Sequence, residues 1–234
     1  MYWGLFWDPT YILVLIGVLL SLIASANVNA AFSRYSRVRS YSGMNGRMAA
    51  ERILELQGIY DVRVERVSGK LTDHYDPKAK VLRLSDSTYD SYSVAAIGVA
   101  AHECGHAVQD HRHYLPLAIR GALVPVANFG ASISWPLVLV GLIIGSTRGY
   151  YIVMAGVLFF TFAVLFQVVT LPVEFNASHR AVGILEKEHL VDRDEAKMTR
   201  KVLFAAALTY VAGTLSALLQ LLRLLLIADS TRRD

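Results

Sequence analysis

The sequence predicts a mainly α integral membrane protein with a small soluble part that mixes helix and strand. Three observations predict it. The 234 residues are 54% hydrophobic, with a mean hydropathy of +0.41, more apolar than an ordinary soluble domain. Four windows hold no charged residue: Pro9–Ser33 (25 residues), Gly121–Thr147 (27), Gly149–Val173 (25) and Val202–Leu222 (21). Each is long enough for the roughly 20 apolar residues that carry a helix across the hydrocarbon core. Buried helices of a soluble protein could supply one such window, but four make that reading improbable. Between the windows, short alternating segments and amphipathic stretches leave material for one modest soluble domain.

The expected spans are 10–32, 117–145, 150–172 and 202–227, with soluble segments 33–115 and 173–201. All of 1–234 then forms a single domain. Trp3, Trp7 and Tyr11 suit the aromatic belt at a membrane interface. Ala24-Ser25-Ala26 resembles a signal-peptidase site, but the start lacks a basic region and carries Asp8. The first span therefore reads as an uncleaved anchor. Arg34, Arg37 and Arg39 follow it at once, which holds the downstream side in the cytoplasm.

Ser42–Gly58 reads as a short amphipathic helix capped by Ser42 or Asn45, with Gly58 just past its end. Met48, Ala49, Ile53 and Leu56 make its apolar face. Residues 62–67 and 81–84 alternate apolar with charged, and Asp73-His74-Tyr75-Asp76-Pro77 between them is turn-forming. A small antiparallel sheet or hairpin is expected, with an edge open to an extended peptide. Turn chemistry explains Asp76-Pro77 without a ligand, and His74 reads as a surface residue or one that supports a site indirectly.

Val94 to Val108 holds alanines and aliphatics without proline, and Ser91 or Ser93 can cap it as a helix. Within it lies His102-Glu103-Cys104-Gly105-His106. Histidines four apart project from one helix face, one turn apart, and can share one Zn²⁺. Glu103 is placed to take a proton from water at such a metal. Two satisfied histidines on a buried helix are the bland alternative. Cys104, the single cysteine, excludes an intrachain disulfide and would point away from both histidines, so it reads as a packing residue.

The second span holds Pro125 and Pro136, just after Pro116, and is expected to be kinked or divided. Ser146-Thr147-Arg148-Gly149 is a tight turn into the third span. Two consecutive crossings return the chain to the face it left. His102 and His106 precede this hairpin and Glu174 follows it, so all three emerge on one side. A carboxylate at the end of an apolar span is costly unless solvated or paired. A solvated helix-end Glu is the simple reading, but beside the histidine pair a shared zinc is favoured. A pattern with a third histidine six residues after His106 is excluded, because positions 109 and 112 are Gln109 and Arg112. His113 stays a reserve candidate. Asp192 and Glu195 form a capping box for the last helix, and Arg223 near its far end can snorkel.

The net charge of +4 does not indicate nucleic acid. Basic residues are interleaved with acids, and no basic stripe carries interleaved aromatics. Residues 32–116 hold 12 Lys/Arg and 173–201 hold 6, which by the positive-inside rule puts the histidine side in the cytoplasm.

Beyond these patterns, four stretches carry a resemblance: Leu71-Thr72-Asp73-His74-Tyr75-Asp76-Pro77, Leu82-Arg83-Leu84-Ser85, Ala101-His102-Glu103-Cys104-Gly105-His106-Ala107 and Leu171-Pro172-Val173-Glu174-Phe175-Asn176-Ala177-Ser178. With them the chain resembles the membrane-bound neutral zinc metallopeptidases of the YugP type, found in bacteria. The likeness extends more widely to HtpX-type and prenyl-protein (CAAX) proteases, which are membrane gluzincins. The resemblance implies a zincin-like soluble part, a bacterial cell (inner) membrane location, a polypeptide substrate and one Zn²⁺ held by His102, His106 and Glu174. Glu103 would be the catalytic base. Those relatives carry Asp four residues after the glutamate, and here that position is Ser178, which can hydrogen-bond but supplies no charge. His74, His179 and Arg180 are candidate donors to the oxyanion. A non-catalytic zinc-stabilised membrane scaffold is the alternative, and intact Glu103 argues against it. A transporter would carry ionisable groups at mid-membrane depth, whereas Arg120 and Arg223 lie near span ends.

Overall fold

The structure, a computed structural model, describes residues 9–233. Trp3, Trp7 and Asp8 lie outside the described residues. The elements run α1 (Tyr11–Tyr35), α2 (Gly46–Leu56), β1 (Arg63–Val67), β2 (His74–Asp76), β3 (Val81–Ser85), α3 (Val94–His111), α4 (Leu115–Ile144), α5 (Ser146–Lys187) and α6 (Arg193–Arg233). Helices α1, α4, α5 and α6 are each long and apolar enough to cross a membrane. The chain is a mainly α membrane protein with a small α+β part. By packing it divides into two compact units. One comprises Met1–Ala24, Ile119–Leu171 and Thr209–Asp234, and the other Ser25–Ala118 and Pro172–Leu208.

In the first unit small residues bring helices together. Ser216 Oγ donates to the Gly17 carbonyl at 2.9 Å, and Ser134 Oγ to the Gly156 carbonyl at 2.8 Å. Such close backbone approach is how helices associate where no hydrophobic drive between them exists. Val138, Val153, Val157, Leu224 and Ala228 fill the space between. Arg223 packs against aromatic rings. Its guanidinium lies 4.0 Å from the Tyr11 ring centroid and 5.7 Å from that of Trp135, and the residue is buried. Helix α4 continues unbroken through Pro125 and Pro136, so the second span is not divided. Gly145, at φ +60, makes the turn into α5.

The second unit is built around α3. Ser93 Oγ accepts from the Ala96 amide at 3.2 Å and starts the helix. Helix α2 packs on it, capped by Asn45 as its Oδ1 accepts from Met48 N. The buried face of α2 is Ala49, Ala50, Ile53 and Leu54, with Met48 outside. That is a small rotation from the face expected: Ala50 and Leu54 join the buried cluster that includes Cys104 and Val108, with the Ala50 carbonyl 3.6 Å from Cys104 Sγ.

The sheet order is β1-β3-β2. The antiparallel pairing expected between 62–67 and 81–84 is corrected: β1 runs parallel to β3, and only β2 is antiparallel to it. The reason lies in His74–Asp76, which form a strand, not a turn. Asp73 accepts from Ser85 N at 2.7 Å and Ser85 Oγ at 2.8 Å, stapling this segment to the far side of β3. The turn is displaced to Pro77–Lys80, where Asp76 Oδ1 accepts from Lys78 N and Ala79 N. Tyr75 Oη and Lys80 Nζ both donate to Asp110 Oδ2 at 2.7 Å, tying the hairpin to α3. At the start of α6 the capping box forms, with Asp192 Oδ1 accepting from Glu195 N at 2.8 Å. The buried Glu195 carboxylate also accepts from Tyr41 N at 2.6 Å and Ser40 Oγ at 3.2 Å.

Candidate metal centre

Two helices make the site, and a glycine sets their separation. A Cβ on Gly105 would come within 2.5 Å of the Ala177 carbonyl oxygen, so only glycine lets α3 and α5 meet here. On α5, positions 174, 177 and 178 share one face by the i, i+3, i+4 rule. That face therefore sets Glu174 and Ser178 against His102 and His106.

Glu174 is 1% exposed. Its Oε2 lies 3.2 Å from His102 Nε2 and 3.6 Å from His106 Nε2. One ligand atom from each of the three residues falls within a set spanning no more than 4.8 Å. The imidazoles stand edge to face at 86°, with centroids 4.8 Å apart, so both aim Nε2 at the same carboxylate oxygen. A buried carboxylate needs a compensating positive charge. Burial acts to lower the His106 pKa, but the hydrogen bond to Glu174 and the charges of Glu103 and Glu174 outweigh it and hold it above the usual histidine value.

The back of each imidazole is also held. Ser178 Oγ lies 3.1 Å from His102 Nδ1, so a serine holds this imidazole where relatives were expected to use a carboxylate. His106 Nδ1 lies 3.0 Å from Gln109 Oε1. Gln109 Nε2 donates to the Val173 carbonyl at 2.8 Å and to Asn176 Oδ1 at 3.0 Å. Neither Gln109 nor Asn176 stood out as a site residue in the sequence. The available signal was spacing, since Gln109 lies three residues after His106 and shares its helix face.

Glu103 sits between the histidines and is buried. Cys104 points away, its Sγ 3.6 Å from the Ala50 carbonyl, and burial pushes its thiol pKa well up, so it is an inert packing residue. His74 is exposed and lies beside the Thr72 carbonyl and Arg83. Strand alternation turns Tyr75 toward α3 and His74 away from it. His179 is exposed. Arg180 Nε donates to Asn176 Oδ1 at 2.7 Å, and its guanidinium covers the Tyr114 ring at 5.8 Å. His113 ends the turn after α3 at φ 50 and is outside the three-residue cluster.

Two imidazoles and one carboxylate are a donor set suited to Zn²⁺. Residues 10–229 match the family described as "Putative neutral zinc metallopeptidase". The chain belongs to this family. It is also 46% identical over 208 residues, 89% of the chain and 91% of the relative, to the Bacillus subtilis (strain 168) protein named "Putative membrane protease YugP". No solved structure matches the chain. Membership in the family points to zinc as the metal and peptide as the substrate class. The three-residue cluster is where this member can place such an ion.

Proposed function

We propose that this chain is a zinc-dependent endopeptidase that hydrolyses membrane or membrane-proximal polypeptides. His102, His106 and Glu174 hold one Zn²⁺, and all of 1–234 acts as a single metallopeptidase domain. The observation that carries the reading is the convergence of two imidazole Nε2 atoms on one oxygen of a buried Glu174, next to Glu103. Bound there, zinc supplies Lewis acidity that polarises a carbonyl and brings the pKa of water to about 7. Glu103 accepts a proton from the attacking water and returns it to the leaving amine. Its burial strengthens that exchange by keeping bulk water away from the carboxylate. Ser178 and Gln109 keep the imidazoles oriented while the proton moves. The basic segments flanking the spans support a cytoplasmic face for this chemistry, and the family resemblance supports a bacterial cell membrane.

The test is Glu103→Gln in the purified full-length protein. Zinc content should stay near one ion per chain while peptide hydrolysis is lost. A variant that still cleaves would refute the assignment. A zinc-stabilised scaffold without catalysis would instead show no cleavage by the wild type under any condition that loads zinc.

A further inference from the structure

The hydrogen bonds behind His106 have a direction, and the direction can be read without ambiguity. Arg180 can only donate, so the Asn176 atom that meets its Nε at 2.7 Å is the amide oxygen. That same oxygen faces Gln109 at 3.0 Å. The Val173 carbonyl, 2.8 Å from the same Gln109 atom, can only accept. Two acceptors thus require the Gln109 nitrogen on their side, and its Oε1 must turn to His106. An amide oxygen can only accept, so the proton on this edge of the imidazole belongs to Nδ1. Gln109 is wholly buried, where a reversed amide would leave three mismatched contacts with no water to relieve them.

The partner of His102 is different. A hydroxyl both donates and accepts, so Ser178 orients the His102 ring without deciding which nitrogen carries its proton. The two histidines are therefore held by different means.

We propose that Gln109 is a positioning residue that commits His106 to bind metal through Nε2, with Asn176 and Arg180 fixing the orientation of the Gln109 amide. The inference rests on the reading above that His102, His106 and Glu174 hold zinc. The relay runs from an obligate donor, Arg180, through two amides to the ligand, and it connects α3 to the turn of α5 that follows Glu174. It thereby couples the ligand on one helix to the backbone carrying the ligand on the other.

The experiment is zinc affinity by chelator competition on the full chain in detergent, with ¹⁵N-histidine NMR of the zinc-loaded protein. The wild type should show His106 protonated at Nδ1 and metal-bound at Nε2. Gln109→Leu should weaken zinc binding by about 10–100-fold, the usual effect of losing a ligand's hydrogen-bond partner. Asn176 supplies the control at a less buried position. Asn176→Leu should weaken zinc binding, and Asn176→Asp, which keeps the acceptor for both Gln109 and Arg180, should restore it. That contrast holds even if Gln109→Leu fails to fold. Zinc bound through His106 Nδ1, or equal affinity in Asn176→Leu and wild type, would overturn the proposal. His106→Ala separates the two readings. If it abolishes zinc binding while the relay variants bind normally, the metal site stands and the relay falls. If it leaves binding intact, the site assignment itself falls.

Discussion

Gly105 of α3 lies against the backbone of Ala177 of α5, with room for a hydrogen and none for a methyl group. The contact is backbone to backbone, so no side-chain rotamer change can relieve it. It sits between His106 and Glu174 and sets the distance between them.

Gly105→Ala should therefore push the helices apart, cost about 1–3 kcal/mol of stability as an overpacked core does, and release zinc. Gly183→Ala is the matched control. Gly183 also lies in a helix, but a Cβ there meets nothing within 4 Å. That change should stabilise by about 0.5–1 kcal/mol from helix propensity. Melting temperatures with zinc content of the two variants check both.

Metal should stabilise the fold by mass action. At free zinc about 100 times its Kd the gain is about 2.7 kcal/mol. Glu174→Ala should lose that gain, because the buried carboxylate is the group the two imidazoles share. Its melting temperature should be the same with zinc and with chelator. A zinc-dependent rise in this variant equal to that of wild type would remove Glu174 from the site.

Asp110 gives a pH dependence independent of the metal. Burial works against its carboxylate, but the hydrogen bonds from Lys80 and Tyr75 prevail and hold its pKa below the usual range. A depressed folded-state pKa stabilises above the unfolded value of about 3.9 and loses that contribution as pH falls through the lower folded value. Asp110→Asn should be less stable than wild type at neutral pH by about 1 kcal/mol. The gap should close below about pH 4. Denaturation of metal-free protein across pH 3–7 measures it, and a gap independent of pH would show that the charge of Asp110 contributes nothing.

The helix that carries the histidines depends on its cap. Ser93→Ala should cost about 1 kcal/mol, and Ser93→Asp should cost little because it preserves the acceptor. Chemical denaturation of both variants tests this.

Much of the site was legible in order along the chain. The four-residue spacing of His102 and His106 is a property of one helix, and Ser93, Asn45 and Asp192 cap their helices through local geometry. The spans are local too, because hydrocarbon solubility depends only on an uninterrupted apolar run. What the pattern misjudged were choices between elements. Residues 73–77 carry turn chemistry, yet Asp73 finds Ser85 and Tyr75 finds Asp110, and with those partners His74–Asp76 becomes a strand.

The sequence by itself determined the membrane helices, the histidine pair on one face and, by counting crossings, a Glu174 that returns to their side. Tertiary structure alone decided that β1 runs parallel to β3, that Ala50 and Leu54 face the core in place of Met48, and that Gln109 Oε1 meets His106 Nδ1. The physical reason is range. Periodicity records which residues share a face of one element. Partners across elements depend on how closely two backbones can approach, as at Gly105 and Ala177, and a buried glutamine looks like any surface glutamine until its neighbours are in place.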